Sequence, residues 1–82
     1  MNITLPEAAW EGVEASVEAL VDRWLVQEGE PVRQGQPLAS AVLVKTSLEI
    51  AAPADGRVTR ILVAAGQTFR RGQPVATLAP GP

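Results

Sequence analysis

The chain has 82 residues, no cysteine, no histidine and a formal net charge of −2. That length makes one small domain, which buries roughly 60% of its unfolded surface. The missing side chains exclude disulfides, thiolate chemistry, and the commonest general base and metal ligand. Apolar residues make up 46% of the chain, mostly Ala, Val and Leu, with Trp10, Trp24 and Phe69 the only aromatics. Such a composition suits a thin core between closely packed sheets. No apolar run approaches the ~20 residues that span a bilayer. The N-terminus lacks a basic region followed by an apolar one, so a soluble, cytoplasmic protein without membrane contact is expected. Seven of the nine acids lie in the first thirty residues (Glu7, Glu11, Glu14, Glu18, Asp22, Glu28 and Glu30). An acidic first third argues against nucleic-acid binding and reads as a solvated surface.

Residues 1–5 form a short apolar stretch ended by Pro6, which predicts a strand. Residues 7–16 place acids at helical spacing but include Gly12, so a loop with at most one helical turn is expected. Apolar runs at 19–26 and 58–64 are each followed by a Gly, a polar link and a Gly-Gln-Pro turn (residues 35–37 and 72–74). Further apolar runs follow at 38–44 and 75–78. Residues 46–52 are another apolar-rich run, ended by Pro53 and by the turn dipeptide Asp55-Gly56. Gly permits positive φ and Pro fixes φ, so this punctuation predicts short strands and an all-β fold. Residues 79–82 (APGP) are read as unable to extend a sheet. The domain is therefore drawn over 1–79, with 80–82 a linker stub or tail.

Residues 21–41 (VDRWLVQEGEPVRQGQPLASA) and 58–78 (VTRILVAAGQTFRRGQPVATL) are two copies of one pattern, offset by 37. Each half alone would leave one sheet face bare, and two halves packed face to face bury both. The repeat predicts a flattened β-barrel or sandwich with quasi-two-fold symmetry. Lys45, the only lysine, falls between the copies. It is expected at the end of the molecule far from Met1 and Pro82, held out in water. Arg23 and Arg60 occupy equivalent repeat positions and read as fold support, and Glu49 as surface charge. The glycines at 29, 35, 56, 66 and 72 read as turn formers. Ser16, Ser40 and Ser47 have no histidine to activate them, so catalysis by the chain itself is not expected.

Residues 38–56 (LASAVLVKTSLEIAAPADG) resemble the modification hairpin of biotinyl/lipoyl carrier domains. Gly35-Gln-Pro-Leu38 leads into the strand before the lysine, and Ile50-Ala-Ala-Pro53-Ala-Asp-Gly56 follows it. Residues 24–29, 32–35 and 62–66 fit the same family. The likeness runs from about Asn2 to Ala79 and is strongest to lipoyl domains of 2-oxo-acid dehydrogenase acyltransferase components. It implies two four-stranded antiparallel sheets forming a barrel-sandwich hybrid. It also implies that Lys45, at a hairpin tip, is the covalent attachment point for lipoate. The partners implied are a lipoate-protein ligase or lipoyl transferase and the other components of a pyruvate-, branched-chain- or acetoin-type dehydrogenase complex. Two alternatives stay open: biotin on the same lysine, as in a carboxylase, or an unmodified structural module of the same fold.

The tip departs from the family pattern. Lipoyl domains usually carry an acidic triplet before the lysine, and biotin carriers place Met on both sides of it. Here Val42, Leu43 and Val44 precede Lys45, and Thr46 follows. These four are the candidate recognition residues. An apolar tip is costly unless covered, and Val-Lys is not a favoured two-residue turn. The long acidic loop after the first strand is expected to cover Val42–Val44. Its Trp10 would lie either against that triplet or in the end of the core.

Overall fold

The computed structural model describes residues 1–14 and 16–81. Eight strands appear in chain order: β1 Asn2–Ile3, β2 Ala19–Trp24, β3 Pro31–Val32, β4 Pro37–Leu43, β5 Thr46–Ala51, β6 Gly56–Ile61, β7 Thr68–Phe69 and β8 Ala76–Pro80. A single turn of 3-10 helix, Glu7–Trp10, interrupts the connection from β1 to β2. The strands make two four-stranded sheets, β1-β8-β6-β3 and β5-β4-β2-β7, with every pairing antiparallel. The molecule measures 37 × 22 × 17 Å. This is the flattened all-β sandwich that the repeat predicts.

A shift of 37 residues carries β2 onto β6 and β3 onto β7, and it preserves individual bonds. Gly29 N–H donates to Val58 O at 2.6 Å, and Gly66 N–H to Val21 O at 2.7 Å. Leu25 N–H donates to Leu38 O, and Leu62 N–H to Val75 O. Bulges fall at equivalent places, between Val21 and Arg23 and between Val58 and Arg60, where an extra residue sharpens the strand twist. The repeated Gln has a local role: Gln36 Oε1 accepts from Arg33 N–H and Gln73 Oε1 from Arg70 N–H. Each Gly-Gln-Pro turn thus satisfies its own backbone donor. Trp24 spans the two copies, its Nε1 donating to Val63 O at 2.8 Å.

Inward residues of both sheets form one core, including Ile3, Val21, Leu38, Leu43, Ile50, Val58, Phe69, Val75 and Leu78. Buried Ala19, Ala39, Ala41, Ala52 and Ala76 keep the core thin and let the sheets approach. No polar or charged residue is buried among the described residues. None of their helices is long and apolar enough to cross a membrane.

Three expectations need correction. The links between Gly29 and Gly35 and between Gly66 and Gly72 each contain a two-residue strand, β3 and β7. Each is pinned by one buried side chain, Val32 and Phe69 respectively. Ala79 and Pro80 do extend a sheet, pairing with Arg57 and Gly56. Proline is tolerated there because it sits at the strand end, where no further ladder donor is required. Finally, Gly56 is not a turn former. It begins β6, and a Cβ on it would run into the carbonyl oxygen of Ala79. Its side chain is missing to admit a neighbouring backbone. Gly56→Ala is therefore expected to cost about 1–3 kcal/mol and to lower the melting temperature by roughly 5–20 °C. Thermal denaturation followed by far-UV circular dichroism measures it.

Candidate functional site: the Lys45 hairpin

β4 and β5 pair from Pro37 opposite Ala51 to Leu43 opposite Thr46, and only Val44 and Lys45 make the turn. A two-residue hairpin calls for φ > 0 at its first central residue, which normally selects Gly, Asn or Asp. Val44 takes that position with φ 61°, the one described non-glycine residue in the left-handed region. A β-branched residue there is a genuine outlier. Lys45 is exposed at the apex. The two ion pairs among the described residues, Arg70–Glu18 and Arg71–Glu7, leave it out.

The hairpin fixes where the lysine lies. The six residues of β5 span roughly 20 Å, with Lys45 at one end and residues 52–55 at the other. Gly81 N–H donates to Asp55 O at 3.0 Å. The Met1 ammonium donates to Leu78 O, beside the Gly56 end of β6. Lys45 therefore stands at the pole away from Met1, as the repeat predicts. The expected position of Pro82 lies outside the described residues.

The apolar triplet divides among three environments. Leu43 is buried in the core. Val42 is half-buried on the opposite face of the sheet, across from exposed Leu20 and from Ser47. Val44 is 65% exposed, and Thr46 is exposed beside it. The loop reaches only part of this set. Ala9, Glu11 and Val13 line a pocket of about 200 Å³ together with Leu43, Val44, Thr46 and Leu48. The expectation that the loop covers Val42–Val44 is thus corrected: strand alternation turns Val42 away from the loop, and Val44, though beside it, stays largely exposed.

Trp10 fills the end of the core. It is 1% exposed and meets Phe69 edge-on, with ring centroids 6.1 Å apart and planes at 84°. Of the two positions open to it, this is the one adopted, and its neighbours in the loop make the contact with the tip. The loop is tied at both ends to the segment after β7, by Glu7 to Arg71 and Glu18 to Arg70. Hydrogen bonding from the Thr68 side chain, then from Arg70, holds the Glu18 carboxyl below the usual glutamate range. A depressed carboxyl favours the fold above its unfolded-state value. The tether is therefore present at neutral pH and lost as the pH falls through the lowered value.

Other singled-out residues stay apart from the tip. Arg23 and Arg60 are exposed just after the bulges, and Glu49 faces outward opposite Ser40. Several early acids have local partners: Glu28 Oε2 accepts from Ile61 N–H and Glu30 Oε1 from Gln27 N–H. No three metal-ligating side chains cluster among the described residues. Sequence reasoning missed Ala9, Val13 and Leu48 beside the tip. The excess length of the loop is the one signal that pointed there.

Two clasped β halves with a lone lysine on a two-residue turn at one pole are the architecture of a covalent carrier domain. The chain belongs to the biotin/lipoyl attachment family, whose model, described as "Biotin-requiring enzyme", matches residues 2–78. Its fold is similar to the lipoyl domain of the 2-oxoglutarate dehydrogenase complex from Azotobacter vinelandii. That match has a TM-score of 0.78 and 24% identity over 100% of this chain and 99% of that one. It is also similar to part of a single-chain, multi-domain long-chain acyl-CoA carboxylase, with a TM-score of 0.69 and 27% identity. That likeness covers 94% of this chain but only 8% of the carboxylase. No match is found among curated proteins.

Proposed function

We propose that the domain is a non-catalytic swinging-arm carrier bearing lipoate in amide linkage on Lys45. In this reading it serves a cytoplasmic 2-oxo-acid or acetoin dehydrogenase complex. The observation that carries the proposal is the solitary lysine at the apex of the β4–β5 hairpin, exposed and outside the ion pairs. A ligase must reach a primary amine, and a two-residue turn on a paired ribbon gives that amine a fixed address. The residues present fit an amide-linked arm: an accessible amine with an apolar pocket at its flank. When bound, lipoate supplies a dithiolane that takes up an acyl group and electrons. The chain's own part is to hold the arm at one pole and to raise its effective concentration at each partner site. Val42, Leu43, Val44 and Thr46 are the recognition surface in this reading, and a lipoate-protein ligase or lipoyl transferase is their first partner. The carrier would take in residues 1–80, because β8 runs to Pro80.

Biotin is the second reading, favoured by the likeness to a stretch of an acyl-CoA carboxylase. Val44 and Thr46 stand where biotin carriers resemble one another in having methionine, which favours lipoate. Incubation of the purified domain with a lipoate ligase or a biotin ligase, followed by intact mass, decides between them. A lipoyl increment near completion with the first ligase and none with the second is expected. A bare mass with both would point to an unmodified module.

A further inference from the structure

We infer that the pocket between the β1–β2 loop and β5 is a docking site for the hydrocarbon part of an acyl arm carried on Lys45, within the same molecule. The inference rests on the reading of Lys45 as the attachment point, and it begins from a break in symmetry. The pseudo-two-fold relates β1 to β5 and β2 to β6, so it also relates the connections between them. Residues 52–55 suffice to join β5 to β6, whereas residues 4–18 join β1 to β2. The extra length lies at the lysine pole and supplies Ala9, Glu11 and Val13 to the pocket wall. Leu43, Val44, Thr46 and Leu48 of the hairpin complete it. Five of these seven side chains are apolar.

Both neighbours of Lys45, Val44 and Thr46, are in that lining, so the lysine stem starts at the pocket rim. The pocket, about 200 Å³ and open to solvent on one side, has room for several methylene groups. Val44 gives a second, independent indication. It is the most exposed of the large apolar side chains and it holds a left-handed φ that Asn or Gly would adopt without strain. A strained backbone is retained where the side chain it presents has a use, and Val44 presents a pocket wall beside the amine. Each methylene the pocket takes from water favours the docked arm roughly fourfold.

Lys45 carries the only ε-amine and Met1 the other primary amine, so chemical octanoylation, with the species modified at Lys45 alone isolated from the mixture, tests docking without any ligase and separates its failure from failure of the lipoate reading. Octanoyl-Lys45 protein, with the site verified by peptide mapping, is compared with acetyl-Lys45 protein by methyl NMR. Expected are nuclear Overhauser contacts from the octanoyl chain to Val13, Leu43 and Leu48 methyls, and shifts at those methyls that the acetyl form does not show. Val13→Glu should abolish the contacts. Val44→Asn should raise the melting temperature while weakening them, a combination that a purely structural role for Val44 does not produce. An octanoyl chain without contacts, or contacts that survive Val13→Glu, would overturn the docking site.

Discussion

Lys45→Arg is expected to abolish all ligase-dependent mass gain and to leave the melting transition where it was. Arginine keeps the positive charge and much of the stem, but a guanidinium does not form the amide. The chain offers no other ε-amine. The remaining primary amine is the Met1 ammonium, engaged with Leu78 O near the opposite pole. The substitution lies on an exposed turn, so its effect on stability should stay within about 0.5 kcal/mol. Exchanging positions 44 and 45, as Val44→Lys with Lys45→Val, is the sharper arm of the test. It keeps composition and amine but moves the amine one residue along the turn, into the left-handed position. One residue is about 3.8 Å of backbone and misplacement by a single ångström already costs catalysed reactions roughly 10²-fold, so modification of the exchanged variant should slow by at least that factor. Intact mass over a time course reads both. A mass gain that persists in Lys45→Arg would remove the lysine from the site.

The sequence was legible where it repeated itself. The offset of 37 reappears as paired bonds, Gly29 to Val58 and Gly66 to Val21, and as paired bulges before Arg23 and Arg60. Equivalent residues in a duplicated fold face equivalent demands, so a repeat in letters becomes a repeat in hydrogen bonds. The lysine turn was legible only through the surrounding motif, because Val44 defeats turn chemistry: nothing in a valine announces φ > 0. β3 and β7 were lost because two-residue strands carry one buried side chain each, too little for a period to register. Gly56 was misread because a need for space and a need for positive φ select the same residue. The pocket beside Lys45 was signalled only by the length of the loop, and its lining residues were hidden for a different reason. Ala9 and Val13 join Leu48 only through tertiary folding of the loop, and no local pattern in residues 7–13 encodes that meeting.

Trp10 is the residue on which that meeting depends, and Trp10→Ala should cost about 3–5 kcal/mol. A domain of this size has a total stability of roughly 4–12 kcal/mol. The loss would lower the melting temperature by roughly 15–30 °C, and in a low-stability background it would unfold the chain. The indole fills the space against Phe69 at the end of a core whose remaining residues are mostly Val, Ala and Leu, which cannot close so large a gap. Trp10→Phe separates packing from polarity. Trp10 Nε1 is buried without a hydrogen-bond partner, and such an orphan donor costs about 1–3 kcal/mol. Phenylalanine removes the orphan, retains an aromatic edge for Phe69 and leaves a smaller void, so the opposing effects should cancel to within about 1 kcal/mol. Denaturant titration of the two variants should therefore diverge, with the alanine midpoint far below wild type and the phenylalanine midpoint near it. Equal losses in both would mean that the indole N–H has a partner in solution. In that case the 3-10 turn would be held by a polar contact rather than by the fit of the ring.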